Sequence, residues 1–327
     1  MAELSETTRV TRLAPSPTGT LHLGNALTFM VNWALARKLG WRVILRMEDL
    51  DAGRVRAGAD EDAIDVLRWL GMDWDEGPLV QSKDLSPYRV ALETLREQGL
   101  IYPCSATRKE IEQAASAPHV SDGETRYPGL HRPKPGGEVA AALSVADVLA
   151  DDLYAWRLIV PEGSVNFVDA LHGEQAVDVQ AQVGDFALAT KSGLPAYQLA
   201  VVVDDARQGV TDVVRGDDLL TSTPRQVLLY RMLGLGEPPR YWHLPLVTGA
   251  DGRRMAKRDD SVRLTTYLDA GVPGDRLVGL LAKWAGLADG YEALSAQAFA
   301  QQLDPSRIGY APPRFTEEDE RWLTGRD

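Results

Sequence analysis

Between Arg12 and Asn25 the chain reads Arg-Leu-Ala-Pro-Ser-Pro-Thr-Gly-Thr-Leu-His-Leu-Gly-Asn. Two prolines, two glycines and a histidine thus lie between a short apolar run and a helical pattern. Pro15-Ser16-Pro17 fixes an extended backbone. Gly19 and Gly24 let a flat ligand approach the main chain closely. Backbone groups exposed at a strand-to-helix turn form an anion site, and His22 stands just ahead of the helix, where a phosphate would sit. A second stretch, Gly252-Arg-Arg-Met-Ala-Lys-Arg-Asp259, puts several cations on a glycine-bearing loop. Cations so placed suit the negative charge of a leaving pyrophosphate. Taken singly, the first stretch reads equally as a proline-stiffened turn with a hydrogen-bonded histidine, and the second as a solvated basic loop.

Composition narrows the setting. The chain has 327 residues, 44% hydrophobic and 25% charged, as in an ordinary globular protein of one to three domains. No apolar run reaches the roughly 18 residues that span a membrane, and the N-terminus is polar, without a signal-peptide core. Cys104 is the single cysteine, which excludes an intrachain disulfide and fits a reducing, cytoplasmic location. A net charge of -12 argues against coating nucleic acid by bulk electrostatics. It leaves room for local basic surfaces at Arg253, Arg254, Lys257, Arg258 and Arg263, and at Arg126, Arg132 and Lys134.

Elements must position these residues. A strand is predicted over Val10 to Ala14, an amphipathic helix over Asn25 to Leu39 ending at Gly40, and a buried strand over Trp41 to Met47. Helices follow over Asp60 to Leu70 and Ser86 to Gln98. That rhythm is the pattern of a doubly wound parallel sheet, an α/β fold. The character then changes: a capping box at Thr107–Glu110, a Pro- and Gly-rich loop from Pro118 to Glu138, and short strands over Tyr154 to Val160, Val165 to Leu171 and Ala176 to Val179. Parallel strands are predicted again at Ala196 to Val203, Val210 to Val214 and Leu244 to Val247, with a helix from Thr223 to Gly234. Helices over Val272 to Ala285 and Ser295 to Leu303 end the chain. The expected layout is a catalytic domain in two halves, 1–104 and 191–247, an inserted α+β module, 105–190, and a loop with a helical tail, 248–327.

The two chemical stretches together resemble the paired signatures of the class I aminoacyl-tRNA synthetases. Their first signature is commonly His-Ile-Gly-His and reads His22-Leu23-Gly24-Asn25 here. Their second, Lys-Met-Ser-Lys-Ser, reads Arg254-Met255-Ala256-Lys257-Arg258. Asn25 thus replaces a histidine, Arg254 a lysine, and Ala256 and Arg258 two serines; the positive charge survives. Arg12-Leu-Ala-Pro-Ser-Pro-Thr-Gly, Arg46-Met-Glu-Asp-Leu-Asp51 and Val214-Arg-Gly-Asp-Asp-Leu-Leu-Thr-Ser-Thr-Pro-Arg-Gln226 are similar to the glutamyl-tRNA synthetases. The resemblance runs from about Arg12 to Gly286. It implies a Rossmann-like class I catalytic domain that activates L-glutamate with ATP and Mg²⁺.

Glutamate carries two carboxylates and one ammonium, so its pocket needs cations and an anion. The resemblance assigns Arg12, Ala14, Ser16, Glu48, Tyr197 and Arg215 to glutamate. Arg12 and Arg215 would clamp carboxylates with their planar forks, and Glu48, beside Tyr197, would pair the ammonium. Pro15, Thr18, Gly19, His22, Gly24, Asn25 and Lys257 are assigned to ATP, with His22 and Lys257 as the catalytic pair. The few helices that follow Arg258 would form a stem-contacting region without an anticodon-binding domain. In that layout the chain resembles the glutamyl-queuosine tRNA(Asp) synthetases, which place glutamate on the queuosine base of tRNA(Asp). A truncated enzyme charging tRNA(Glu), a non-catalytic tRNA-binding paralogue and another small nucleotidyltransferase are the alternatives. Relatives of this short type often hold zinc through Cys-x-Cys, Tyr and Cys. Here those positions read Cys104, Ala106, Tyr127 and His131, and no structural zinc is expected. A monomer is expected, with no membrane partner.

Overall fold

The computed structural model describes residues 8–51, 53, 55–114, 126–134, 145, 153–252, 263–308 and 311–325. Its principal elements, in chain order, are β1 (Val10–Leu13), α1 (Leu23–Leu39), β2 (Arg42–Met47), α2 (Ala59–Trp69), β3 (Glu76–Val80), α3 (Ser86–Glu97), β4 (Ile101–Cys104) and α4 (Arg108–Ala114). After these come β5 (Ala155–Leu158), β6 (Ser164–Asp169), β7 (Gly173–Asp178), β8 (Ala187–Ala189), α5 (Tyr197–Arg207), β9 (Asp212–Gly216), α6 (Thr223–Leu233) and β10 (Arg240–Leu244). The tail comprises α7 (Leu264–Asp269), α8 (Gly274–Trp284), α9 (Ala296–Gln302) and α10 (Glu317–Thr324). The chain divides into two units: Met1–Val80, Val210–Leu219 and Arg240–Asp327 form the first, and Gln81–Gly209 with Leu220–Pro239 the second.

The first unit is built on parallel strands. β1 pairs with β2 and β2 with β3, and β9 pairs with β10, all parallel. Thr211 joins the two sets: its amide donates to Val10 O at 2.8 Å, and its hydroxyl accepts from the Val10 amide at 2.9 Å. The resulting order, β3-β2-β1 followed by β9-β10, is that of a doubly wound sheet. Helix α1 packs on β1 and β9 and, on another side, against α8 and α9. It is therefore buried around most of its circumference, not along one stripe. Leu39, expected in the apolar stripe, is 47% exposed at the end of the helix. Asn32 is buried within it, accepting from the Thr11 hydroxyl and donating to Arg12 O. Gly40 ends α1 at φ 71°, in the left-handed region that a glycine enters without strain.

The second unit carries antiparallel pairings, as expected for an inserted module. β5 lies between β4 and β8, and β6 and β7 form a hairpin. Helices α3, α5 and α6 pack on one another.

Two predicted strands are corrected. Ala196 to Val203 forms most of α5, a helix whose residues from Gln198 to Asp205 are all buried. A short apolar run does not separate a buried strand from a buried helix. The buried polar residues of α5 find their partners mainly on other segments. Gln198 donates to the Ser222 hydroxyl and accepts from Gln226, while Asp204 accepts from Gln81, Tyr88 and Arg207. The last strand is Arg240–Leu244, not Leu244 to Val247, and β3 and β4 were not foreseen. β3 begins Glu-Gly-Pro, residues that weaken a strand pattern.

Asp204 is 0% exposed and receives those bonds at 2.7, 2.9 and 2.8 Å. Asp204→Ala removes the acceptor of a buried phenol and a buried amide, and should destabilise the fold by about 3 kcal/mol. Urea unfolding should show a lower midpoint for this variant and a smaller shift for Asp204→Asn. An unchanged midpoint would show that the network contributes nothing.

Candidate active site

The turn between β1 and α1 is held from several directions within the first unit. The Glu48 amide, just past β2, donates to Pro15 O at 3.0 Å, and the Arg56 amide donates to Pro17 O at 3.1 Å. His22 caps α1. Its Nδ1 accepts from the Asn25 amide at 3.3 Å, and the Asn25 Oδ1 accepts from the His22 amide at 3.1 Å. This reciprocal capping box gives Asn25 a structural task, although the sequence marked it as a departure. Because Nδ1 accepts, a neutral His22 ring carries its proton on Nε2. The first turn of α1 holds no acidic residue, so no carboxylate offsets the positive end of the helix dipole there.

Arg253–Asp260 and the two residues after them lie outside the described residues, and so do Arg254, Lys257 and Arg258. Both flanks of that stretch meet the first signature. Arg263 pairs with His22 in a short antiparallel bridge, and the Leu264 amide donates to Leu21 O at 2.9 Å. On the other flank, Val247 lies 4.0 Å from where a Cβ on Gly24 would stand.

The acid and base candidates sit at the C-terminal ends of parallel strands, the usual ligand edge of such sheets. Arg12 on β1 is buried, and its Nη1 reaches Val214 O at 3.5 Å. The next residue, Arg215 on β9, is also buried, so the two candidate clamps stand on neighbouring strands. Arg215 Nε donates to His243 Nε2 at 3.0 Å, Nη2 donates to Leu219 O at 3.4 Å, and the guanidinium lies 5.2 Å from the Tyr241 ring. Glu48 follows β2 directly, and its Oε1 pairs with Arg46 Nη2 at 3.0 Å; Arg46 is wholly buried. Ala14 and Ser16 lie in the same turn, with Ser16 exposed, and Thr18, Gly19 and Gly24 are partly exposed. In the second unit, Tyr197 opens α5 at a helix start, not a strand end, and is 40% exposed. Tyr241 and His243 have no part in the sequence reading, and Arg46 enters it only within a family motif. The available signal was a histidine and a tyrosine two apart in an apolar strand, next to a buried parallel partner.

Cys104, Tyr127 and His131 do come together in the second unit. Cys104 Sγ and Tyr127 Oη share a hydrogen bond of 3.3 Å, the His131 amide donates to Tyr127 Oη at 3.1 Å, and the Ser105 amide donates to His131 Nδ1 at 3.2 Å. Burial, then the bond to Cys104, holds the Tyr127 phenol above its ordinary pKa. The Arg157 guanidinium sits 3.9 Å over its ring. Among the described residues no group of three or more His, Cys, Asp or Glu could hold a metal ion. One thiol, one phenol that resists ionisation and one imidazole occupied by an amide do not fit structural zinc, which takes four ligands, mostly Cys and His. Beside this cluster, Arg126, Arg132 and Lys134 line a cavity of about 310 Å³. Arg132 pairs with the buried Asp185 at 2.6 Å, and Asp185 also accepts from the Tyr102 hydroxyl and the Val160 amide.

Residues 9–318 match the family described as tRNA synthetases class I (E and Q), catalytic domain. The Glutamyl-Q tRNA(Asp) synthetase of Nitratidesulfovibrio vulgaris is 45% identical over 84% of this chain and 86% of its own length. The Glutamate--tRNA ligase of Burkholderia vietnamiensis is 36% identical over 96% of this chain and 65% of the ligase. A solved glutamate tRNA ligase from Elizabethkingia meningosepticum, in complex with its amino acid, superposes with a TM-score of 0.80 at 25% identity, over 97% of this chain and 69% of that one.

A Cβ added to Gly24 would stand 3.2 Å from the His22 ring. Gly24→Ala should therefore shift the imidazole by a few tenths of an ångström and loosen its bond to the Asn25 amide, against the helix propensity that alanine adds. An unchanged His22 ring resonance would contradict that. For the second unit, prolonged chelation should leave the thermal midpoint unmoved. Stoichiometric zinc in the purified protein, lost together with stability, would overturn the reading of Cys104, Tyr127 and His131.

Proposed function

Because this chain belongs to the class I tRNA synthetases (E and Q), and among them to the glutamyl-Q tRNA(Asp) synthetases, we propose that it activates L-glutamate with ATP and transfers it to the queuosine base of tRNA(Asp). The observation that carries the substrate assignment is the pair of buried guanidiniums, Arg12 and Arg215, on neighbouring strands, with Glu48 at the end of the next strand. That is one cation for each glutamate carboxylate and one anion for its ammonium. Charge-assisted bonds of this kind are worth about 1.5–3 kcal/mol each, enough to favour glutamate over an uncharged analogue. Tyr197, Ala14 and Ser16 complete the glutamate set in this reading.

ATP lies against Pro15, Thr18, Gly19, Gly24 and Asn25, its phosphates at the N-terminus of α1 beside His22, with Mg²⁺ as their partner. The glutamate α-carboxylate attacks the α-phosphorus, the bond to the β-phosphate oxygen breaks, and pyrophosphate leaves. A hydroxyl of the cyclopentene ring of queuosine then attacks the activated carbonyl; AMP leaves and an ester remains. No protein nucleophile takes part, so positioning and charge stabilisation carry the rate. Lys257 is assigned to the transition-state charge. The anchoring of Arg263 at His22 and of Val247 near Gly24 supports that role, since it ties both flanks of the loop to the phosphate end. The basic cavity of the inserted module, 105–190, is read as facing RNA phosphates, and one chain supplies every assigned residue. Higher identity to the glutamyl-Q relative than to the glutamate ligase, 45% against 36%, supports tRNA(Asp) as acceptor.

The test incubates the protein with ATP and labelled glutamate, then offers tRNA(Asp) with and without queuosine, and tRNA(Glu). Label should enter only queuosine-bearing tRNA(Asp). Label at the 3′ end of tRNA(Glu) would replace the acceptor, and absence of any adenylate would replace the catalysis with mere tRNA binding. Lys257→Ala should lower the activation rate about 10²–10³-fold with little change in glutamate affinity; an unchanged rate would remove it from the mechanism.

A further inference from the structure

We propose that His243 is the positioning residue for Arg215, and that it dictates how the guanidinium meets a substrate carboxylate; this rests on Arg215 being a glutamate clamp. His243 is 0% exposed and lies directly opposite Arg215 in the parallel β9–β10 register. A guanidinium has five donors and no acceptor. At 3.0 Å from Arg215 Nε, His243 Nε2 must therefore supply a lone pair. The imidazole is neutral in this arrangement, with its proton on Nδ1.

Contacts to His243, Leu219 and Tyr241 restrain the fork. His243 holds Nε from the neighbouring strand, and Leu219 O holds Nη2 at 3.4 Å. Tyr241, two residues before His243 and so on the same face of β10, lies 5.2 Å from the guanidinium carbon. Tyr241 and His243 stack on each other at 6.0 Å, with planes inclined by 15°. The imidazole is thereby fixed before it fixes the arginine.

The geometry has a chemical consequence. A carboxylate can take a guanidinium side-on, through Nε and one terminal nitrogen, or end-on, through both terminal nitrogens. With Nε given to His243, the side-on approach is closed. Arg215 meets its carboxylate end-on, and its direction is set by a residue that touches no substrate. A lysine in place of Arg215 would lose both the bond to His243 and the fork.

The test is glutamate-dependent ATP–pyrophosphate exchange on the full chain, with KM for glutamate and for ATP measured separately. His243→Met removes the acceptor at similar volume. It should raise the glutamate KM about tenfold while the ATP KM stays within about twofold. His243→Gln, whose amide oxygen reaches Nε, should restore most of the loss, and the shorter His243→Asn should not. This Gln–Asn pair decides the matter even where His243→Met fails to fold. In an Arg215→Ala background, His243→Met should add nothing to the glutamate KM. Equal glutamate KM values for wild type and His243→Met, equal defects in the Gln and Asn variants, or additive effects with Arg215→Ala would each overturn the proposal. An unchanged glutamate KM in Arg215→Ala alone would instead overturn the clamp on which it rests.

Discussion

Burying a guanidinium is the constraint around which the first unit is arranged. Arg12, Arg46 and Arg215 are each nearly withdrawn from water, and an isolated charge in that position is costly. Main-chain and side-chain acceptors offset the cost: Val214 O for Arg12, Glu48 for Arg46, and His243 with Leu219 O for Arg215. Those acceptors stand where they do because β1, β2, β9 and β10 run parallel, with their C-terminal ends at one edge. A binding edge for an anionic substrate and a tolerable burial of cations are thus the same arrangement.

The module in the second unit meets a similar demand differently. Asp185 gathers Tyr102, Arg132 and the Val160 amide. Burial and its bond to Asp185 keep the Tyr102 phenol protonated far above its ordinary range. Tyr127 links Cys104 to the His131 amide. Segments distant in sequence are thereby joined by hydrogen bonds, two of them to the Asp185 carboxylate, and by its ion pair with Arg132, a cross-linking task that a metal centre can also perform.

How much of this was legible from residues alone varies by element. The strand-turn-helix from Val10 to Leu39 was, because proline, glycine and apolar spacing all point the same way. The placement of Glu48 and Arg215 at strand ends was too. Helix α5 was not: its buried face runs all the way round, so periodicity vanished, and only Gln198 and Asp204 with their tertiary partners betray the helix. Nor was His243 legible, since its role depends on a register between strands that sequence does not state. The capping role of Asn25 was not legible either, because comparison with the common motif says only that it stands where a histidine is usual. The site residues between 253 and 262 rest on their signature and on the anchoring of the flanks.

The seam at Thr211 bears on how the molecule is made. Val10 and Thr211 are 201 residues apart, yet their paired hydrogen bonds join the two halves of the parallel sheet. Contacts of that separation carry a large loop-closure entropy and form slowly. During synthesis β1, α1 and β2 leave the ribosome long before β9 and β10 exist to cover them. The apolar edge of β1 must wait through the translation of Gln81–Gly209, the larger part of the second unit. Arg12 therefore acquires its acceptor at Val214 only when synthesis is about two-thirds complete, and the binding edge cannot form before then.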